Sequence, residues 1–537
     1  MLRILNLWLH IDTDNELNEL KTLVTKRLKI KESDFISFNL AKKSLDARPR
    51  SNGAIGFIYS VDIHLTEDLE QFIISQNLQN VRKQNPISYT MPSVAKIPPT
   101  KRPIIVGAGP AGMAAGLLLA QCGYQPVILE RGEILEKRTY TVENFGKIGF
   151  KKESNIQFGE GGAAAFSAGL LRTRNKDERQ QKMISDFMLS SKINEDSFVS
   201  DQPILGSDVY SSITISIRNE IIRLGGTFHF ETKVEHLLIL KDKIAGVFTN
   251  NLGVLYSDHV IMATGISARD TYKMLDDHGA IMEPLPFSVG IRLEHPKSVL
   301  NRAQYREYAY HPKIDPASYN LTYLSPDGRK VSPFAICPGG QILASGTDYG
   351  GLIVSGSTKS DKALPNTNSS LVVTVKLEDL PSKDLFAGID FQRDLEQKAF
   401  KLGGRNYYAP TQLMSDFLAK RPSTEIRSVI PSYKPGVTLC NLHDILPDFV
   451  SENLINAIHS FAKRINGFDM DDAILTAIES RPASPIRILR SPTTMQSLSI
   501  SGLYPAGDGA GYAAGIISSH IDGIKVAEAV ISNFESM

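Results

Sequence analysis

The residues best placed to do chemistry here are glycines. Gly107-Ala108-Gly109-Pro110-Ala111-Gly112 spells G-x-G-x-x-G directly after the apolar run Ile104-Ile105-Val106. An Ala/Leu-rich stretch follows. A second apolar run, Pro126 to Leu129, then ends in Glu130, about 20 residues past the loop. In such a strand–helix–strand unit each position has a physical task. Gly107 permits the tight turn, Gly109 lets the backbone approach a pyrophosphate, and Gly112 lets helix and strand pack closely. The helix that opens with Pro110 and Ala111 offers free N–H groups and a positive dipole end to phosphate. Glu130 can accept hydrogen bonds from a ribose diol. The pattern predicts a dinucleotide site.

Two distant stretches point to the same place. Asp258 to Gly265 (DHVIMATG) predicts a buried parallel strand, with Thr264-Gly265 as a sharp turn beside the dinucleotide. Gly502 to Ile516 (GLYPAGDGAGYAAGI) predicts a short strand into Gly507-Asp508, then the start of a Gly/Ala-rich helix, with Gly515 and Ile516 as further cofactor-binding candidates. Asp508 can bind a polyol hydroxyl. The positive end of that helix would stabilise an anionic reduced flavin at N1 and O2. Ahead of both, Asn155 to Gly169 is rich in small residues, which implies close backbone approach to something flat or charged. Arg172 and Arg174 follow and could balance anionic charge.

Groups that could act on a substrate lie further along. Phe287 to Pro296 (FSVGIRLEHP) and Phe334 to Gly340 (FAICPGG) are the candidate stretches. His295, His520 and Glu294 are candidate acid/base groups, and Arg292 could hold an anionic substrate. Cys337 could act as a redox or nucleophilic thiol. It has no C-x-x-C partner, so a small buried side chain is the alternative reading.

These residues need a scaffold, and the 537-residue chain is long enough for two or three domains. Residues 1–95 predict a small α+β module. Leu5, Leu7, Leu9 and Ile11 alternate as in a strand, and Leu17, Leu20, Val24 and Leu28 fall on one helix face with Asp14 as N-cap. Ile36 to Leu40 and Ile55 to Leu65 give two more strands, joined by a polar hairpin connection. That β-α-β-β order suggests a ferredoxin-like fold. Lys83 to Pro103 reads as a linker. Residues 101–274 form the first part of a cofactor domain, with a helix at Ser211 to Leu224 and a strand meander from Thr227 to Tyr256. Residues 275–481 differ in texture and predict an inserted α+β domain with helices near Phe391–Leu402 and Leu454–Ile465. Residues 482–537 return to the first domain.

Composition narrows the function classes. A net charge of +1 argues against a broad nucleic-acid surface, and three scattered cysteines argue against a disulfide framework and for a reducing compartment. Neither a metal-ligand spacing nor a membrane-spanning stretch stands out. The N-terminus lacks the layout of a signal peptide, so the expectation is a cytoplasmic protein acting on a small molecule.

GAGPAG with its distal Glu, ATG and YPAGDGAGYAAGI together resemble the FAD-binding flavoproteins of the glutathione reductase type. More closely, over nearly the whole chain, the sequence resembles a family of uncharacterised FAD-dependent (NAD(FAD)-utilizing) dehydrogenases. ESNIQFGEGGAAAFSAG, PFSVGIRLEHP, CPGG, SPIRILR and GLYPAGDGAGYAAGIISSHIDGI carry that likeness. The resemblance implies an α/β fold, a Rossmann-like FAD-binding domain with an inserted substrate domain. It implies FAD as cofactor, with Gly107, Gly109, Gly112, Glu130 and Arg131 on the ADP half. It also implies backbone contact from Val234 to adenine, Gly161 and Gly162 beside the flavin, and Asp508 on the ribityl or pyrophosphate region. The chain departs from the family at Ala168, where an Asp is usual, and in keeping only Cys337 of a Cys-Met-Cys segment. The activity implied is dehydrogenation by hydride transfer at flavin N5, with NAD(P)H as a transient donor in the cleft. The alternatives are a non-enzymatic FAD-binding or redox-sensing protein and a flavin-dependent RNA-modifying enzyme.

Overall fold

The computed structural model describes residues 1–48, 54–85, 88–95, 99–171, 177–200 and 203–535. Arg172 and Arg174 lie outside the described residues. The chain is mixed α/β, with parallel and antiparallel sheets.

The N-terminal residues build a four-stranded antiparallel sheet. It comprises β1 (Leu2–His10), β2 (Ser37–Asp46), β3 (Gly56–His64) and β4 (Val81–Lys83), in the order β2-β3-β1-β4. Helices Glu16–Leu28 and Glu67–Ser75 cover one face. The second helix and β4 extend the expected β-α-β-β order. The alternation in β1 also differs from expectation. A bulge near Asn6 (φ 56°) shifts the register, so Leu2, Ile4, Leu7 and Leu9 are buried and Leu5 is not. Asn15, not Asp14, occupies the N-cap of the first helix.

The next segment supplies β5 (Ile104–Val106), β6 (Val127–Leu129), β7 (Thr227–His229), β8 (Val234–Leu240), β9 (Lys243–Thr249), β10 (Gly253–Tyr256) and β11 (Val260–Met262). β12 (Met282–Pro284) then leads the chain into the inserted region. Here β13 (Phe287–Pro296), β14 (Tyr323–Leu324), β15 (Lys330–Cys337), β16 (Gln341–Ala344), β17 (Val354–Ser357), β18 (Asn366–Val375), β19 (Ala409–Leu413), β20 (Val437–Leu439) and β21 (Ile474–Glu479) follow. β22 (Ile486–Ile488) and β23 (Leu503–Pro505) close the set.

Two sheets position the site. The first is five-stranded and parallel, in the order β23-β11-β5-β6-β7. Its central strands read as continuous apolar runs because both faces are buried, one under helices and the other largely under the three-stranded sheet β10-β9-β8. Helix Pro110–Gln121 is apolar all round and buried along almost its whole length, against the C-terminal helix Ile516–Glu535. The second sheet is seven-stranded, in the order β14-β15-β18-β13-β21-β19-β20, and belongs to the inserted region. Helices Ala387–Leu402 and Asp448–Ala462 flank it; each begins a few residues before its sequence-predicted start. The core of the N-terminal module is continuous with the core of this region. His311 and Lys313 also reach Asp12 and the Thr13 carbonyl, at 3.0 and 2.6 Å.

The chain crosses between the two sheets through β12 and β22, which pair antiparallel, Met282 beside Ile488. A buried ionic knot closes the seam. Arg269 makes two 2.8 Å bonds to Glu396, and Arg481 binds the same carboxylate at 2.9 and 2.7 Å. Burial works to raise the Glu396 pKa, but the two arginines hold it down at about 2. Among the described residues, no helix is long and apolar enough to cross a membrane.

Candidate functional site

A cavity of about 320 Å³ lies between the carboxyl ends of the parallel strands and the inserted sheet. Crevices at strand ends are where open α/β sheets bind ligands. Three strand-to-loop turns build its wall: Gly107 to Ala111 after β5, Ala263 to Ser267 after β11, and Ala506 to Asp508 after β23.

The first turn behaves as its spacing requires. Gly107 has φ 104°, and a Cβ there would stand 2.4 Å from the Ala263 carbonyl oxygen. At Gly112 a Cβ would stand 1.9 Å from the Gly107 oxygen, so that glycine serves helix–strand packing and lies off the cavity. Gly109 differs from both. The one atom near its missing Cβ is the Gly162 Cα, at 3.8 Å, which leaves an open cradle over the loop. Gly109 is also the N-cap of the helix from Pro110 and offers no side chain to it, so the first-turn N–H groups remain free for a ligand.

Glu130 lines the cavity, but its carboxylate mainly ties loops together. It accepts the backbone N–H of Ala108 at 2.8 Å and those of Gly132 and Gly159 at 2.9 Å each. A carboxylate has about four acceptor sites, so roughly one remains for a ribose hydroxyl. Arg131, also on the wall, forks onto Asp270 with two 2.9 Å bonds and lies 4.2 Å from the Phe158 ring centre. Burial works to raise the Asp270 pKa, yet Arg131 and Lys233 hold it well below the usual carboxylate range. Pro110, Ala111, Val234, Thr264, Gly265, Gly162, Gly507, Gly515 and Ile516 line the cavity as well. Gly161 does not. It makes a turn at φ 82° and donates its N–H to the Ala108 carbonyl at 2.8 Å.

Asp508 is the cavity's unsatisfied group. Among the described residues no donor reaches its carboxylate, and burial raises its pKa to about 7. A polyol hydroxyl would supply the missing donor. With the open cradle at Gly109, the free N–H groups above it and the adjoining Gly515–Ile516 turn, the wall fits an extended, anionic, hydroxyl-bearing ligand. That is the chemistry of FAD.

Three residues that support the wall escape sequence reasoning. Arg138 is fully buried and donates to the carbonyls of Asn155, Ile156, Gly159 and Glu160 at 2.8, 2.7, 3.1 and 2.5 Å, fixing the small-residue loop. Burial lowers its pKa to about 10. Asp522 accepts the Gly507 N–H and binds Arg490, which in turn lies 3.9 Å from the Tyr512 ring centre. Arg490 and Asp522 sit inside SPIRILR and SSHIDGI, so the motifs mark them without disclosing the contact.

The four candidate catalytic residues do not line the cavity. His295 is fully buried with its Nε2 against the Phe468 carbonyl at 2.7 Å, and burial drops its pKa to about 4, so it stays neutral. His520 is buried against Asp186 at 3.1 Å. Burial pushes the Cys337 thiol up to about 11 and keeps it protonated. Arg292 is wholly buried and already paired with Glu479, at 2.9 and 3.2 Å, so it is not free to hold an anionic substrate. Glu294 is buried under Asn366 and Ser432. On the side of the seven-stranded sheet, the ionisable groups on the wall are Glu479 and Arg481 among the described residues.

Comparison with known proteins agrees with this wall. Residues 286–482 match the family model described as FAD-dependent protein, C-terminal domain-like, and residues 1–64 match a domain of unknown function. The first match begins and ends at the β12–β22 crossing. A probable FAD-dependent monooxygenase of Pseudomonas aeruginosa aligns over 81% of this chain and 86% of its own, at 13% identity and TM-score 0.35. A geranylgeranyl bacteriochlorophyll reductase-like protein of Thermoplasma acidophilum aligns over 81% and 79%, at 11% identity and TM-score 0.36. Likenesses this distant decide nothing about the chemistry. The family match and the wall together support FAD as the cofactor. An uncharacterized protein of Clostridium beijerinckii is 39% identical over 535 residues, 98% of each chain. The protein therefore belongs to one family with that bacterial chain, and its residues 286–482 resemble the C-terminal domain of FAD-dependent proteins.

Proposed function

We propose that the protein is an FAD-dependent oxidoreductase, a dehydrogenase of a small molecule. On this reading the parallel-sheet domain is Rossmann-like, the region between β12 and β22 is a substrate domain, and the N-terminal module is ferredoxin-like. The observation that carries the proposal is the unpartnered Asp508 carboxylate in a cavity walled by three glycine turns from one parallel sheet. Bound there, FAD supplies the redox chemistry by accepting a hydride at N5. The protein supplies the rest. Gly109 and the helix from Pro110 would cradle the pyrophosphate, Glu130 the ribose, and Asp508 the polyol chain. The inserted sheet would close the other end of the cavity against water.

A second reading is favoured by one finding. No histidine or cysteine lines the cavity among the described residues, which suits an FAD-binding sensor that does not turn over. Spectra and anaerobic mixing separate the two. The purified protein should be yellow, with a band near 450 nm (roughly, as for any oxidised flavin), and should release FAD on denaturation. Reduction of that band by NADH, NADPH or a metabolite panel supports the dehydrogenase. A yellow protein that nothing reduces supports the sensor. A colourless protein that takes up no added FAD removes both readings.

A further inference from the structure

Strand β15 runs beside β18 with one residue too many. Phe334 stands opposite Ser370 and Cys337 opposite Asn368, so two residues of β15 face a single residue of β18. Ala335, inside this bulge, has φ 46°, a backbone conformation that alanine keeps only where its surroundings hold it. The hold is visible. The Ala335 carbonyl accepts from Arg292 Nη2 at 2.6 Å and from the Cys337 thiol at 3.3 Å. Arg292 is itself clamped, by Glu479 through Nη1 and by Asn368 Oδ1 through Nε at 3.0 Å. Gly356 leaves room for it, since a Cβ there would stand 1.9 Å from Nη2. A buried ion pair is weak grounds for a stability role, because apolar residues of equal volume serve as well. This one has a geometric product: it holds the Ala335 carbonyl and so fixes the bulge that directly follows Phe334.

Phe334 points that product at the cavity. It lines the wall and is 43% exposed. The other aromatic ring on the wall among the described residues, Phe158, is already covered by Arg131. The ionisable neighbours of Phe334 on that side are committed too, Glu479 to Arg292 and Arg481 to Glu396. This end of the cavity therefore offers a partly exposed aromatic residue and no unpaired charge.

We propose that Phe334 is the specificity-determining residue of the substrate end, the face on which a flat, uncharged aromatic or conjugated ring stacks. Arg292, with Glu479, is the positioning residue that aims it through the β15 bulge. The proposal rests on the reading of the cavity as an FAD-dependent substrate site.

The test titrates the full-length, FAD-loaded protein with 2-naphthol, followed by the probe's own fluorescence, and with its saturated decahydro analogue as competitor. The flat probe should bind about tenfold or more tightly than the saturated one, Phe334→Ala should weaken it about tenfold, and Phe334→Trp should retain it. The Arg292→Met/Glu479→Leu pair removes both charges at once. It should weaken 2-naphthol as Phe334→Ala does, and add nothing further when combined with Phe334→Ala; a merely structural role would add its loss independently. Equal 2-naphthol affinity in wild type and Phe334→Ala, with FAD in place, overturns the proposal and leaves the FAD reading intact. Failure of the wild type to bind 2-naphthol overturns it too. A protein that takes up no FAD removes the FAD reading and, with it, the proposal; the missing flavin absorbance tells that outcome apart from the first.

Discussion

The Asp522 carboxylate accepts the backbone N–H of Gly507 at 2.7 Å while holding the Arg490 guanidinium at 2.5 and 3.0 Å. One side chain thus fixes the turn that presents Asp508. Asp522→Ala should weaken FAD about tenfold or more, since it leaves a buried N–H and a buried guanidinium without their partner. Asp522→Asn keeps an acceptor and should lose less. Titration of apoprotein with FAD, read by quenching of flavin fluorescence, checks both. Equal affinities in Ala and wild type would detach Asp522 from the site.

Gly109→Val should fold normally and bind no FAD. The cradle above Gly109 is open, and an added Cβ meets only the Gly162 Cα, at an ordinary 3.8 Å. The thermal midpoint should stay within a few degrees of wild type, a change of about 1 kcal/mol or less. Loss of stability instead would show that the loop's backbone, and not its ligand, needs glycine.

Asp508 should make FAD affinity depend on pH. Its pKa of about 7 without ligand means that acid neutralises it near the physiological range. A hydroxyl donor favours the carboxylate over the protonated acid, so binding should strengthen as pH rises through 7 and weaken below it, by up to about tenfold per unit. Asp508→Asn should flatten the profile. Dissociation constants at pH 6 and pH 8 decide it.

Arg138→Met should destabilise the protein by about 3 kcal/mol or more, because four buried carbonyls lose their shared donor. Arg138→Lys should rescue little, as a single ammonium cannot span carbonyls from Asn155 to Glu160. Urea unfolding of the variants measures the loss.

His295 should contribute to acid instability. Its folded pKa of about 4 lies below the unfolded value of about 6.5. Its neutral form is therefore favoured by the fold, and that stability is complete above about pH 6.5 and lost as pH falls toward 4. The full difference amounts to about 3 kcal/mol. His295→Gln should show a shallower fall in stability over that window.

The cofactor half is legible in the sequence because its signals are local. Gly107 to Gly112 and Gly507-Asp508 each follow their own strand, and turn geometry leaves an imprint on neighbouring residues. The supporting groups are not legible. Arg138 reaches carbonyls 17 to 22 residues away, and Asp522 and Arg490 are 32 apart. Nothing in either local pattern shows which partner burial will provide. The candidate catalytic residues fail for a related reason. His295, Arg292 and Cys337 are chemically apt, but each is buried on partners distant in sequence and away from the cavity. Phe334, in register opposite Ser370 and ahead of the bulge, meets the cavity instead, a residue type that spacing alone does not single out.

The paired strands β12 and β22 place both chain crossings side by side, like two pins of one plug. A region mounted this way can be exchanged as a cassette without cutting the parallel sheet that carries the Gly107 to Gly112 loop. What a replacement must bring is a carboxylate at the place of Glu396, for Arg269 to close upon. Without it, the buried Arg269 guanidinium would stand at the seam without the carboxylate it forks onto. Compatibility of any grafted region with this cofactor half therefore reduces, to first order, to one acidic side chain on its helix Ala387–Leu402 equivalent.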